Sequence, residues 1–217
     1  NVLSADGKRV YNGGIGNVLL PEEARSERPE ALDAVVPPPY QLTIADAATL
    51  EIVGTHRFER GIRPFVLTPD EKRMYAQLSF LHGIVEYDLE EGRISRTLEL
   101  PVDEGVTSDD YDFEAPHHGL ALSADGELLC AAGRASDYVA LVSTETFAPV
   151  AMIEVADAPG WAENGPDGTD CWIASTRADR VSVISYAERA MVAEIAVAGG
   201  PKYLLAAEVP EVVIGGP

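Results

Sequence analysis

The stretch LALSADGELLCAAGRASDYVALVSTETFAPVAMIEV, residues 120–155, decides the fold. It reads as apolar strand, Asp-Gly turn, apolar strand, short polar loop, alternating strand, turn, alternating strand. Asp125-Gly126 between two apolar runs is a hairpin signal, because the turn needs a positive φ that Gly adopts without steric cost. The phrase recurs. Asp6-Gly7, Asp70-Glu71 and Asp167-Gly168 hold the same place, preceded by LSA, LTP and NGP as Asp125 is by LSA. Asp125 and Asp167 stand 42 residues apart, and so do Pro159 and Pro201. Four strands per unit at a period of about 40–45 residues predict an all-β chain, a β-propeller of four-stranded antiparallel blades.

On either side of this stretch the repeat divides the chain into 2–61, 62–116, 117–158, 159–200 and a partial unit at 201–217. Strands are expected at 2–4, 8–13, 41–46 and 51–57 in the first unit, and at 65–68, 72–78, 83–88 and 94–99 in the second. The partial unit offers strands at 203–207 and 212–215. Two excursions interrupt the period. Asp6 and Asp70 are 64 residues apart, which places an insertion at 16–40, with a helical turn or two at 22–34 and extended backbone at 37–39. Asp70 and Asp125 are 55 apart, and the excess falls at 102–114, VDEGVTSDDYDFE. In a four-stranded meander the second-to-third loop and the connection to the next blade leave at the same end. Both excursions are therefore expected on one face of the disc, where long loops carry function more often than core segments do.

The wordings LSADGKRVY (3–11), LTPDEKRMY (67–75), LSADGELLC (122–130) and VSVISYAERAMVAEIAVAGGP (181–201) resemble the YVTN-type propeller repeats, the surface-layer or cytochrome-d1-like family. The resemblance implies a ring that usually has seven blades, so four and a half units imply part of a ring or an arc completed by another chain. It implies an extracytoplasmic setting. It leaves the activity open, since such repeats occur in electron-transfer enzymes, lactonases and plain scaffolds, and fold does not fix function.

Acidic residues outnumber basic ones 36 to 16 and give a net charge of −20. That argues against nucleic acid as a partner, because phosphate binding depends on Lys and Arg. No apolar run reaches the roughly 18–20 residues needed to cross a bilayer as a helix. Nucleophilic and nucleotide signatures are missing too: there is no G-x-S-x-G, and the glycines at 13, 14 and 16 lack the dinucleotide spacing. Cys130 and Cys171 lie one position apart on equivalent second strands, facing either one shared interface or two different ones. With packed sheets about 10 Å apart, two buried thiols are expected rather than a disulfide.

The candidate site follows from the alignment. Counting back from each turn aspartate brings Arg63, His118, Gly160 and Lys202 into one column at the mouth of the innermost strands. Arg63 and Lys202 suit an anionic or polar ligand as cationic clamps, with His118 as donor or proton carrier. Trp161 begins an inner strand beside them. His117 precedes His118, and His82 falls in a second-to-third loop aligned with Asp137 and Asp179. The expected function is a non-catalytic binding or scaffold module meeting a protein or a polar small molecule on the two-loop face. The alternative is a lactonase-like or redox enzyme, with haem or metal, centred on His118 and Arg63. No cofactor is named by the residues: CxxCH is missing, and His117-His118 diverge on a strand unless the backbone bends. The acids of 102–114 do not follow the order of a Ca²⁺ loop, and the residues mark no metal site.

Overall fold

The computed structural model describes residues 1–15 and 40–206. Among the described residues sixteen strands form four antiparallel sheets, each a meander in chain order. Sheet one holds β1 (Val2–Leu3), β2 (Arg9–Gly13), β3 (Gln41–Asp46) and β4 (Ile52–Arg57). Sheet two holds β5 (Ile62–Leu67), β6 (Arg73–Leu78), β7 (Gly83–Asp88) and β8 (Arg93–Glu99). Sheet three holds β9 (Leu120–Leu122), β10 (Leu128–Gly133), β11 (Tyr138–Ser143) and β12 (Ala148–Glu154). Sheet four holds β13 (Pro159–Asn164), β14 (Asp170–Ser175), β15 (Arg180–Ser185) and β16 (Ala190–Ala196). The sheets pack in series as propeller blades, with first strand beside first strand (β1 with β5, β5 with β9, β9 with β13).

Period-2 alternation explains how one blade feeds two interfaces. From β6, Met74 and Ala76 pack back toward Tyr11 and Leu42 of sheet one, while Tyr75 packs forward on Leu129, Ala131 and Phe147 of sheet three. From β10, Ala131 faces sheet two, while Cys130 and Ala132 face Ala162, Cys171 and Ile173 of sheet four. A strand buried on both faces reads as a continuous apolar run, as β11 does: Tyr138 through Val142 are all buried. Between sheets two and three the fully buried Gln77 amide grips the Gly119 backbone, with Nε2 to the carbonyl at 2.9 Å and Oε1 from the N–H at 2.8 Å.

The turn aspartates close the first hairpin of every sheet. Asp6, Asp70, Asp125 and Asp167 each accept a backbone N–H two residues on, at 3.0–3.1 Å. The Lys8 N–H and the Ser4 hydroxyl lower the Asp6 carboxyl to about 2. Gly7, Gly126 and Gly168 follow with φ of 71, 75 and 72°, and Glu71 takes that left-handed conformation at φ 57°. Glu71 is anchored there by the Tyr11 hydroxyl and by Arg9, a contact between sheets one and two. Asp46 and Asp88 accept two backbone N–H groups each in the third-to-fourth turns, at 2.8–2.9 Å. A register shift recurs between third and fourth strands, at Ile44/Ala45, Glu86/Tyr87, Leu141/Val142 and Val183/Ile184.

Three expectations need correction. Strand β5 begins at Ile62 rather than 65, because a register shift between Ile62 and Phe65 accommodates Pro64, which has no N–H for the ladder. No strand forms at 203–206, where Tyr203 and Leu205 are exposed. The two cysteines form a disulfide, Cys130–Cys171, with Cα atoms 6.5 Å apart. The offset of one position turns the two side chains toward a shared interface. There Gly119, Ala121, Ala132 and Ala162 let the sheets come closer than the usual 10 Å. The helical turn at 22–34, the prolines at 37–39 and the strand at 212–215 lie outside the described residues.

The disulfide joins positions 41 residues apart. In the chain-entropy account a loop of that size contributes about 2–4 kcal/mol. The Cys130→Ala/Cys171→Ala protein should unfold at lower denaturant, with a slope no smaller than that of the oxidised wild type, because the unfolded chain without the cross-link exposes at least as much surface. Equal midpoints for the variant and the oxidised wild type would show that the bond holds nothing together.

Candidate functional site

The first strands of the four sheets line a groove of about 740 Å³. Its walls include Val2, Ile62, Phe65, Leu120 and Ala162, and one end carries Arg63, His118, Trp161, Lys202 and Tyr203. Four of the six residues singled out from sequence thus meet in one groove. Arg63 has a side chain only 2% exposed, with Nε donating to Ser79 Oγ at 3.1 Å and Nη2 3.5 Å from Glu114 Oε2. Burial lowers its pKa and Glu114 opposes that, so the guanidinium stays charged. Lys202 is exposed and lies 5.8 Å from the centre of the Tyr203 ring. Tyr203 meets Trp161 edge-on at 4.6 Å, and Trp161 lies 6.2 Å from the His118 ring. The Trp161 Nε1–H is buried and has no hydrogen-bond partner among the described residues.

His118 Nδ1 lies 2.9 Å from the Gly160 carbonyl oxygen. A carbonyl only accepts, so Nδ1 carries the hydrogen and the neutral ring keeps a lone pair on Nε2. Burial lowers its pKa, and the positive charges of Arg63 and Arg134 act in the same direction. His118 is therefore an acceptor in the groove rather than a cationic donor. Further along, burial raises the pKa of Glu163, and the neighbouring Asn164 is tied by Nδ2 to the Leu122 carbonyl and by Oδ1 to the Tyr186 hydroxyl. Tyr203, Glu163 and Asn164 were missed in the sequence. Period-2 counting from Trp161 along β13 reaches Glu163, and Tyr203 directly follows Lys202.

The 102–114 excursion lies over the same end. It carries two short 3₁₀ turns, Ser108–Asp110 and Asp112–Glu114. Asp112 Oδ2 accepts from Arg134 Nη2 at 2.7 Å and from Arg177 Nη2 at 2.8 Å, while Glu114 faces Arg63. Blades two, three and four are thus pinned to one loop by guanidinium–carboxylate pairs. The stem of the first excursion reaches the same rim: the Gly14 carbonyl accepts from the Ile62 N–H at 3.0 Å, and Ile15 lines the groove. Residues 16–39 themselves lie outside the described residues.

His117 and His82 do not reach the groove. His117 is fully buried, turned away from His118, with Nε2 3.2 Å from His82 Nδ1 and 3.0 Å from the Tyr138 hydroxyl. The Tyr138 hydroxyl lies 3.0 Å from the Pro101 carbonyl and donates to it. His56 sits on outer strand β4 with Nδ1 3.2 Å from the Tyr87 hydroxyl. No group of three His, Cys, Asp or Glu side chains placed to hold a metal occurs among the described residues. No helix among them is long and apolar enough to cross a membrane.

No family model matches the chain, and no curated protein matches it. Among solved structures, the hydrazine synthase of Kuenenia stuttgartiensis is similar, with a TM-score of 0.56 and 19% identity. The match covers 71% of this chain and 42% of that one, so it spans less than half of the neighbour's length. At such identity the likeness shows the propeller-type fold alone.

Two predictions follow from this electrostatic arrangement. Burial lowers the pKa of all four histidines, His56, His82, His117 and His118. The unfolded chain then binds more protons than the folded one below about pH 6.5, so this stability is present above that pH and lost as pH falls. Burial lowers the pKa of His117, the most buried of the four, furthest in this direction, and the neighbouring His82 acts the same way. The urea midpoint should drop over that interval, and a flat profile would contradict the neutral burial of these rings. Separately, Asp112→Ala removes the shared acceptor of Arg134 and Arg177. Proteolysis within 102–114 should accelerate several-fold, and an unchanged cleavage rate would show that the loop is held by something else.

Proposed function

We propose that the chain is a binding module that takes a polar, anionic small molecule at the mouth of the axial groove. The observation that carries this reading is the meeting of Arg63, His118, Trp161 and Lys202 around one groove. In a chain of net charge −20, two cations beside an aromatic wall and an unpartnered indole N–H form a selective place for an anion. The Trp161 and Tyr203 rings offer a flat apolar surface to the ligand's carbon skeleton. A protein partner on the two-loop face is a second form of the same binding role. We also read the repeats as YVTN-like and the four blades as an arc of a larger ring, completed by further blades or another chain.

The hydrolytic alternative is favoured by one feature, the Nε2 lone pair of His118. Held neutral by burial, with Nδ1–H fixed on Gly160, it suits a general base that takes a proton from water. For a lactone, the water oxygen would bond to the carbonyl carbon, the ring C–O bond would break, and the proton would pass to the leaving alkoxide. Lys202 is placed to hold developing negative charge. For the redox alternative implied by the resemblance, the lone pair of His118 Nε2 would be the group to hold a haem iron, and the haem would supply electron-transfer chemistry when bound. His117 does not fit, since its Nε2 faces His82 and Tyr138.

Calorimetry with citrate, succinate and inorganic phosphate tests the binding role. At least one should bind, with affinity falling about tenfold or more in Trp161→Phe, which removes the indole N–H, and several-fold in Lys202→Ala. A shift below twofold in both variants would end the proposal. A lactone panel assayed with wild type and His118→Gln, and a visible spectrum of the purified protein, separate the two enzymatic readings.

A further inference from the structure

We propose a second site, away from the groove, in which His82 Nδ1, His117 Nε2 and Tyr138 Oη bind a four-coordinate divalent transition ion of the Zn²⁺ class. The three atoms form a triangle with sides of 3.0, 3.2 and 3.5 Å. An ion with bonds of about 2.0–2.1 Å in tetrahedral geometry separates its donors by roughly 3.3 Å. The triangle is thus one face of such a tetrahedron, already assembled. The two imidazole rings stand at 84° to one another, which lets both nitrogens address one point without their rings colliding.

Two donors come from connections and the third from the start of a strand. His82 lies between β6 and β7, His117 precedes β9, and Tyr138 opens β11. Blades two and three therefore supply the ligands, and an ion would clip them together as the disulfide clips blades three and four. His117 is fully buried and Tyr138 is 8% exposed, so the donors are held by packing before any ion arrives. Preorganised donors favour binding, because little ordering cost remains. Burial, and after it the negative charge of Asp103, raise the Tyr138 pKa, so the phenol gives up its proton only as the ion binds. Asp103 belongs to the acidic 102–114 excursion, whose Asp112 and Glu114 already pair with arginines, and its negative charge draws cations toward the triangle.

The chemistry balances simply. The ion takes the lone pairs of the two neutral imidazoles and of Tyr138 Oη. The phenol proton passes to solvent, and the Pro101 carbonyl loses its donor. A water fills the fourth position. Imidazole and phenolate donors suit Zn²⁺, Co²⁺ and Cu²⁺ better than Mg²⁺ or Ca²⁺, which prefer all-oxygen shells.

Co²⁺ reports on the site because four-coordinate Co²⁺ absorbs far more strongly in the visible than the hydrated ion. Full-length chain stripped with chelator should bind one Co²⁺ with intense visible bands, and equimolar Zn²⁺ should bleach them. His82→Ala and His117→Ala should weaken binding about 100-fold, and Tyr138→Phe should change the band positions. His118→Ala and His56→Ala should leave the titration unaltered. Near-ultraviolet dichroism confirms folding of each variant. If His117→Ala does not fold, the half-buried His82→Ala decides. Weak bands of six-coordinate Co²⁺, undiminished binding in a folded His82 variant, or loss of binding in His118→Ala would each overturn the site.

Discussion

The close approach of neighbouring sheets near their inner ends is the constraint on which the structure rests. Sheets normally stack about 10 Å apart, yet four of them must converge on one axis. Small residues make this possible. A Cβ added at Gly119 would stand 2.9 Å from the Ala132 Cβ and 3.0 Å from the Ala162 nitrogen. At that interface Ala121, Ala132 and Ala162 surround the Cys130–Cys171 bond, while the larger Leu141, Ile173 and Ile184 occupy the same cluster. A wedge of small and large side chains sets the tilt between blades, and the tilt gives the groove its walls.

Charge is distributed to match. The chain carries 36 acidic and 16 basic residues, and three of its arginines converge on one loop. Arg63, Arg134 and Arg177 meet Glu114 and Asp112, which ties three blades to the 102–114 excursion. Most exposed ion pairs contribute little, but a carboxylate shared by the part-buried Arg134 and the exposed Arg177 fixes geometry as well as contributing energy. The same rim holds His118 and Lys202.

The propeller pattern was readable because period-2 apolar runs and Asp-Gly turns recur with local causes, and each recurrence supports the others. Turn aspartates, strand alternation and the column Arg63–His118–Lys202 all follow from counting. The failures have physical sources as well. The first strand of the second unit was expected from 65, but a register shift absorbs Pro64 and β5 starts three residues earlier. The disulfide was missed because a generic sheet spacing replaced the local one, which depends on alanines and a glycine contributed by three strands and a connection. His82 and His117 lie 35 positions apart, and only the packing of blade two on blade three brings them together. Tyr138 has the same history, since nothing in its own repeat marks it as a partner for histidine. Contacts between repeats depend on blade tilt, which the period alone does not encode.

Radial stacking of the third and fourth sheets with facing second strands is the central claim, and peptide mapping addresses it directly. A digest of protein purified without reductant and alkylated under denaturing conditions should yield one linked pair, containing Cys130 and Cys171, that separates on reduction. Two alkylated cysteines in separate peptides from fully oxidised protein would contradict the packing described, and with it the groove built on that packing.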